Sequence, residues 1–331
     1  LLPSCPLSPV GDAFHHLQRP GLAADCPGSG TRMLAGTCFQ ENPLAWSRSP
    51  AVAGTFYPGT PESLRADVER LLGGAAEARC SPGPERGTGP DYGESSLERR
   101  LPKAIIAPHA GYVYSGPVAA SAYAAIAPFR ESISRVILLG PAHRIPVRGL
   151  AACTAGAFET PLGPVPVDGE ALQGILDFPQ VQALDEAHSG EHSLEVHLPF
   201  LQVALGDFAL VPLVVGEAFP EEVAEVLESL WGGPETLIVI SSDLSHYLPY
   251  DHAKQLDLLT SRAIQNLRPE EIQYEQACGR IPVAGLLLRA RVEGLSAECV
   301  DLRNSGDTAG PRTQVVGYGS FIFTTADTIS G

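Results

Sequence analysis

Short apolar runs that end in turn residues recur along the 331-residue chain. Val, Ile and Leu dominate Lys103–Ala107, Arg135–Leu139 and Thr236–Ile240, and turn residues follow each run. Continuous runs of this kind are typical of strands buried on both faces of a parallel sheet. An Ala-rich helical stretch, Gly116–Pro128, separates the first two runs. The pattern predicts a βαβ unit and an α/β fold in which helices flank a mostly parallel central sheet.

The same patterns predict further elements. A helix begins with Thr60 as N-cap and Pro61 in its first position, and we expect it to end near Gly73 and Gly74. The remaining predicted elements are the strands Phe208–Val215 and Val315–Thr324 and the helices Glu221–Trp231 and His252–Asn266.

Loss of periodicity marks the predicted limits of one domain. Residues 1–48 alternate Pro, Gly, Cys and His, and we expect a poorly ordered leader there. Residues 49–325 form the predicted domain, with a flexible surface insertion at 77–100 and a tail at 326–331. The chain begins with Leu and has one Met, so we hypothesise that the native protein starts at Met33.

Histidines follow three of the predicted strands. His109 and His143 come just after the first two runs, and Asp243 and His246 come just after the third. Because ligands of open α/β sheets bind outside the carboxyl ends of the strands, we expect these side chains to share one pocket. Neutral imidazoles are common metal ligands, so the pocket is a candidate site for a redox-active transition metal.

One cysteine is a candidate for the same site. Cys278 precedes an apolar run from Pro282 that predicts the start of a helix. We expect the helix dipole and the nearby Arg280 to favour the thiolate, which is the form that binds metals. The alternative is an inert, buried cysteine.

A second metal motif overlaps a loop. His188, Glu191 and His192 spell H-x-x-E-H, a signature of zinc metalloproteases. That chemistry needs both histidines on one face of a continuous helix, and Ser189 and Gly190 oppose such a helix. A zinc hydrolase therefore stays an alternative that depends on helix continuity.

Nucleophilic and nucleotide chemistry have little support. Ser241, Ser242 and Ser245 lie near His246 and Asp243, but the chain lacks the G-x-S-x-G elbow of serine hydrolases. It also lacks a G-x-G-x-x-G or Walker sequence for nucleotide phosphates.

Composition narrows the partners and the compartment. The formal net charge of -16 disfavours binding to nucleic acid or to anionic membranes. No apolar stretch nears the roughly 20 residues of a membrane-spanning helix. Seven cysteines at irregular spacings, no CxxC pair and no signal-peptide pattern indicate a protein of the reducing cytoplasm.

A set of short motifs carries a family resemblance. The matching segments are Ala53–Pro58, Ala107–Tyr112, Tyr114–Gly116, Leu138–His143, Glu191–Glu195, His197–Phe200, Ser241–His246, Ala277–Arg280 and Gly317–Gly319. They cover about residues 49–325, and in this order they resemble the Memo family, which is called AmmeMemoRadiSam system protein B in prokaryotes.

The resemblance implies a fold similar to that of LigB-type class III extradiol dioxygenases. Those enzymes hold non-haem iron with two histidines and a carboxylate. The corresponding metal ligands here are His109, His143 and Cys278, so a thiol replaces the carboxylate. Because a thiolate is softer than a carboxylate, the implied cofactor is Fe(II) or copper, and dioxygenase activity does not carry over directly.

The resemblance also assigns the other candidate residues. His246 matches the acid–base histidine of the dioxygenases, and we expect Asp243 to orient it. His192, Glu195 and Tyr114 are expected to line the pocket or to support the metal ligands.

Two functions follow from these expectations. The first is a mononuclear metal-binding redox protein, expected to be a dioxygenase-like oxidoreductase. It would act with a radical-SAM protein and an AMMECR-type protein on a small molecule or a peptide. The second is a non-catalytic module that binds a peptide or protein partner, in which the histidines line the pocket and Arg144 and Arg148 bind an anion.

Overall fold

The structure, a computed structural model, describes residues 46–80 and 100–325 and two short strands at 33–34 and 37–38. Most of the predicted leader, most of the predicted insertion and the whole predicted tail at 326–331 lie outside the described residues. The native start at Met33 stays a prediction.

Helices and strands alternate through much of the described chain. The helices are α1 (Pro61–Cys80), α2 (Tyr112–Ile126), α3 (Gly169–Ile175), α4 (Glu186–Ser189), α5 (Leu198–Leu205), α6 (Pro220–Leu230), α7 (Tyr250–Gln265), α8 (Arg280–Val292) and α9 (Ser305–Thr308). Short 3₁₀ helices lie at Ala127–Phe129, Glu195–His197, Pro269–Glu271 and Tyr274–Gln276. The strands are β1 (Met33–Leu34), β2 (Thr37–Cys38), β3 (Ser47–Arg48), β4 (Ala104–Ala107), β5 (Arg135–Pro141), β6 (Leu150–Ala152), β7 (Ala157–Thr160), β8 (Gly163–Pro166), β9 (Val181–Ala183), β10 (Ala209–Val215), β11 (Thr236–Ser241), β12 (His246–Leu248), β13 (Leu295–Asn304) and β14 (Val315–Thr325).

A nine-stranded mixed sheet forms the centre of the fold. Its order is β12-β14-β4-β11-β5-β10-β6-β9, and β13 pairs with β14. The middle strands β4, β11, β5 and β10 are parallel, whereas β6, β12, β13 and β14 join by antiparallel pairing. The predicted α/β class is confirmed, and the parallel part of the sheet is its centre.

The register of the middle strands brings their following loops together. Ser241 pairs with Ala107, and Ile240 pairs with Leu139. Because β4, β11 and β5 therefore end at nearly the same level, the residues that follow them meet at one edge of the sheet.

Helices cover both faces of the sheet. Ile105 and Ala107 face a core that includes side chains of α1, α2 and α5, whereas Ala104 and Ile106 face a core that includes side chains of α6, α7 and α8. This alternation within one strand is the period of two that a doubly covered strand requires.

Helix α1 is longer than predicted. Thr60 caps it as expected, since the Ser63 amide donates to Thr60 Oγ1 over 3.4 Å. The helix passes through Gly73 and Gly74 and ends at Cys80, so its last residues occupy the start of the predicted insertion. A helical glycine costs only about 1 kcal/mol relative to alanine. Ala75, the residue after both glycines, is buried in the core, and this packing favours a continued helix.

No helix in the described part of the chain is long and apolar enough to cross a membrane.

Candidate metal centre

Three histidines converge at the carboxyl edge of the sheet. His109 follows β4, His143 follows β5, and His192 lies in the loop between α4 and the next 3₁₀ helix. One potential ligand nitrogen from each lies within 4.8 Å of the other two. The His109 ring is 5.1 Å from that of His143 and 5.6 Å from that of His192, centroid to centroid.

The cluster opens toward solvent on one side. The side chain of His109 is 3% exposed, that of His192 is 15% exposed and that of His143 is 29% exposed. A small ligand would therefore approach from the His143 side, while His109 forms the inner wall.

Glu191 holds the outer histidine. Its Oε1 lies 3.1 Å from His143 Nδ1, and its Oε2 accepts the His143 amide over 2.6 Å. Burial alone raises the pKa of Glu191, but hydrogen bonds from His143 and from backbone amides outweigh it and lower the pKa to about 2. An ionised carboxylate can only accept, so His143 Nδ1 carries the proton and Nε2 of the neutral ring keeps its lone pair.

Cys278 and Asp243 border the inner histidine. Cys278 Sγ lies 3.4 Å from His109 Nε2, and Asp243 Oδ2 lies 4.0 Å from the same nitrogen. Two atoms that share a tetrahedral ion, at about 2.3 Å for sulfur and about 2.1 Å for nitrogen, are about 3.6 Å apart. The sulfur and the nitrogen thus have the separation of two donors to one ion.

Burial keeps the metal-free site uncharged at its inner end. It lowers the pKa of His109 well below its usual value, and neighbouring His143 and His192 act in the same direction. It also lowers the pKa of His192. Neutral imidazoles have the free lone pair that metal binding requires.

The expected thiolate at Cys278 is wrong for the metal-free protein. Helix α8 does begin just after Cys278, at Arg280, as the sequence predicts. However, burial raises the pKa of the Cys278 thiol, and Asp243 raises it further. The Arg280 guanidinium instead makes a cation–π contact with Tyr274, with its carbon 5.2 Å from the ring centre.

His246 and Asp243 are not joined as predicted. His246 Nδ1 lies 2.8 Å from the Leu244 carbonyl oxygen, which can only accept, so this carbonyl orients the ring. Asp243 instead accepts the backbone amide of His109 over 2.8 Å. Asp243 therefore holds the segment that carries His109.

The two remaining pocket candidates differ in burial and in partners. Tyr114 is 41% exposed on the first turn of α2. The pKa of Tyr318 is raised first by burial, and then by the neighbouring Asp243 and Tyr114. Glu195 is fully buried and accepts hydrogen bonds from Arg48, the Ala51 amide and other groups of the same segment. These hydrogen bonds anchor the chain before α1, and the expected role of Glu195 in the pocket stays a prediction.

The zinc-protease alternative is also wrong. Helix α4 ends at Ser189, and Gly190 is its C-cap, so His188 and His192 do not share a helix face. His188 is buried, and its Nε2 lies 3.0 Å from the Ala151 carbonyl oxygen.

Several residues of the site escaped sequence reasoning. Glu191 and His192 were candidates for a different metal motif or for the pocket wall, and the roles of Ser241, His197 and Tyr123 gave no separate signal. These last three connect to His109 through hydrogen bonds that span up to 132 residues of sequence.

The fold and the site define an α/β protein with a candidate three-histidine metal centre at the carboxyl edge of its sheet. The profile of the family described as "Memo-like protein" matches residues 48–322. A MEMO1 family protein of Aeropyrum pernix is 40% identical over 292 residues, which cover 82% of this chain and 97% of that protein. The corresponding protein of Aquifex aeolicus is 37% identical over 291 residues, covering 83% of this chain and 98% of that protein. The chain belongs to the Memo-like family.

The chain also has a limited similarity to a solved structure. The structure of uncharacterized protein JW3007 from Escherichia coli K12 gives a TM-score of 0.44 at 15% identity, covering 66% of this chain and 99% of that one.

Proposed function

We propose that the protein binds one iron or copper ion at the histidine cluster and acts as a redox protein. The observation that carries the proposal is the convergence of three imidazoles, His109, His143 and His192, within 4.8 Å. The Cys278 sulfur at 3.4 Å from His109 Nε2 adds a soft donor. Imidazole and thiolate together suit iron, copper and zinc, and not the hard ions that prefer oxygen.

The predicted ligands and the observed cluster share two members. His109 and His143 belong to both, and the remaining donors are His192 and Cys278. We propose that all four side chains face the ion and that Cys278 loses its thiol proton when the ion binds, because a coordinating thiol is deprotonated. Asp243 lies beside both donors, with its backbone carbonyl oxygen 3.6 Å from Cys278 Sγ and its Oδ2 4.0 Å from His109 Nε2.

The bound ion would supply a redox-active, Lewis-acidic centre. The chain itself supplies proton transfer and orientation beside it. With Nδ1 of His246 donating to the Leu244 carbonyl, Nε2 of a neutral ring is free to accept or return a proton. We propose His246 as the acid–base group, in keeping with the likeness to dioxygenases of the LigB type, and Tyr114 as a residue of the pocket mouth.

Metal analysis after anaerobic loading tests the proposal. We expect about one equivalent of iron or copper in the unaltered protein and almost none in the His109→Ala variant. His252→Ala is the matched control, because His252 is exposed on α7, and it should retain the metal. An unaltered protein that binds neither ion, or a His109→Ala variant that binds as well as the control, would overturn the proposal.

Two finer aspects are proposed on other grounds. Cys153, Cys278 and Cys299 are free thiols, which supports a reducing cytoplasmic location. The family resemblance supports action with a radical-SAM protein and an AMMECR-type protein on a small molecule or a peptide. Co-purification of those two proteins with this chain, compared with a chain of equal charge from another family, tests the partnership.

A further inference from the structure

A buried chain of hydrogen bonds leads away from the back of His109. Tyr123 Oη lies 2.7 Å from His197 Nδ1, and His197 Nε2 lies 2.8 Å from Ser241 Oγ. Ser241 Oγ in turn lies 2.6 Å from His109 Nδ1. The residues that form this chain are between 0% and 3% exposed, so water does not substitute for any of their partners.

A fourth contact decides where the protons lie. Ser241 Oγ is also 2.6 Å from the carbonyl oxygen of Ser193. A carbonyl oxygen can only accept, and a hydroxyl has one hydrogen and two lone pairs. The Ser241 hydroxyl therefore donates to Ser193, and its lone pairs accept from both His109 Nδ1–H and His197 Nε2–H.

This arrangement selects one tautomer for each ring. A neutral imidazole has a single N–H, and the Ser241 hydroxyl accepts it from Nδ1 of His109 and from Nε2 of His197. The Nε2 atom of His109 is then bare, and it is the atom beside Cys278. The Nδ1 atom of His197 is bare and accepts the hydroxyl proton of Tyr123.

Two further hydrogen bonds of Ser193 fix the position of its carbonyl group. The Ser193 amide donates to Glu191 Oε1 over 2.9 Å, and the Ser193 hydroxyl donates to the Pro141 carbonyl over 2.8 Å. Glu191 is the residue that accepts from His143 Nδ1. The turn at residues 191–193 thus contains both the carboxylate that accepts from His143 and the carbonyl oxygen that accepts from Ser241.

We propose that Ser241 is a positioning residue for the metal centre, fixing the tautomer and the orientation of His109 through the Ser193 carbonyl, with His197 and Tyr123 completing the buried chain. The inference rests on the proposed metal binding and extends it to residues that do not touch the ion. Partners of this kind orient metal-binding histidines and raise their basicity.

His197 is not an additional ligand in this arrangement. Both of its nitrogens are used, one by Ser241 and one by Tyr123, and the Tyr123 ring stacks on Phe200 with centroids 5.0 Å apart and planes 7° apart. His197 and Tyr123 are thus held in fixed positions, and His197 occupies one side of the Ser241 hydroxyl.

Nitrogen NMR of the metal-free protein tests the proton assignment without any activity. We expect the signal of His109 in the unaltered protein to be that of the Nδ1–H tautomer, with the signal identified by its loss in His109→Gln. In Ser241→Ala this preference is lost, because the ring has no acceptor left. In Tyr123→Phe, which keeps the stacked ring, only the His197 signal changes. An Nε2–H tautomer at His109 in the unaltered protein would overturn the proposal.

Metal affinity gives the second readout. By chelator competition with Fe(II) or Cu(II), whichever the unaltered protein binds, Ser241→Ala should weaken binding about 10–100-fold. Ser320→Ala is the matched control, since Ser320 is a buried serine whose hydroxyl donates to the Val118 carbonyl over 2.7 Å. It should stay within about threefold of the unaltered protein.

The outcomes separate the two proposals. If the unaltered protein binds neither ion while His109 shows the Nδ1–H tautomer, the proposed metal function fails. If the unaltered protein binds the ion and folded Ser241→Ala binds it as tightly as Ser320→Ala, the role of Ser241 fails. If Ser241→Ala does not fold, the tautomer of His109 in the unaltered protein still decides the proton assignment.

Discussion

Two buried glutamates, Glu191 in a loop and Glu195 at the start of the next 3₁₀ helix, stabilise different parts of the protein. Glu195 accepts hydrogen bonds from Arg48 and the residues that precede α1, whereas Glu191 accepts from His143 and the turn that follows it. A buried carboxylate is costly unless donors surround it, and each of these has several. The sequence motif that contains both therefore joins the histidine cluster to the N-terminal part of the domain.

Replacing Glu191 by Gln should damage the site at the residue scale. The amide group of Gln puts a donor against one of the N–H groups of His143, His192 or Ser193 that the carboxylate now accepts. We expect metal affinity to fall about 10–100-fold and the free energy of unfolding to fall by about 1–3 kcal/mol. Chelator competition and urea unfolding measure the two effects.

Glu186→Gln is the control for this substitution. Glu186 is exposed in the first turn of α4, and its loss of charge should change stability by no more than about 0.5 kcal/mol. Equal effects of the two substitutions would contradict the role given to Glu191.

At the scale of elements, the contact between α6 and α8 positions the helix that follows Cys278. A Cβ atom on Gly285 would lie 2.5 Å from Cβ and Cγ1 of Val223 and 3.1 Å from the Pro220 carbonyl oxygen. The absence of a side chain at Gly285 thus allows the two helices to pack closely against each other.

Gly285→Ala should force these helices apart. Extra methyl groups in a packed core cost about 1–3 kcal/mol, and we expect a loss of that size in urea unfolding. Gly73→Ala is the matched change in α1, where a Cβ meets nothing within 4 Å, and it should instead stabilise the protein by about 0.4–1 kcal/mol. A stabilised Gly285→Ala variant would show that the close packing is not required.

The success of sequence reasoning also differs between elements. The strands β4, β5, β10 and β11 were predictable because strands buried on both faces are continuous apolar runs. Strand β13 escaped because most of its side chains are half-buried, which leaves no such run.

The same reasoning reaches part of the site. Strand ends led to His109 and His143, whose place follows from sheet register alone. The position of His192 depends on the turn that Glu191 stabilises, and the contact of His197 with Ser241 joins residues 44 apart in sequence. Such contacts arise from tertiary packing, and no local spacing encodes them.

Buried ionisable groups with opposing pKa shifts act on the whole molecule. Burial lowers the pKa of His188 to about 4 and that of His197 well below its usual value. Burial raises the pKa of Asp257 to about 6. A lowered histidine pKa makes the folded state lose stability as the pH falls from about 6.5, because only the unfolded chain then takes up the proton.

Asp257 has the opposite dependence on pH. Its carboxyl is protonated more readily in the folded state than in the unfolded chain, so the free energy of unfolding falls as the pH rises from about 4 to 6. A shift of about two pKa units corresponds to roughly 3 kcal/mol. Between pH 4 and 6 this effect offsets part of the histidine effect.

Asp257→Asn should therefore separate the two contributions. Asn keeps an oxygen that can accept the Ser245 amide, now 3.0 Å from Asp257 Oδ1, but it removes the buried charge. We expect the variant to be more stable than the unaltered protein at pH 7, by up to about 3 kcal/mol, and to lose stability more steeply as the pH falls to 4, where the difference vanishes. Asp207→Asn, at an exposed carboxylate, should follow the unaltered protein within about 0.5 kcal/mol throughout. Urea unfolding of the metal-free proteins from pH 4 to 7.5 measures this, and parallel curves for Asp257→Asn and the unaltered protein would show that the Asp257 charge carries no such cost.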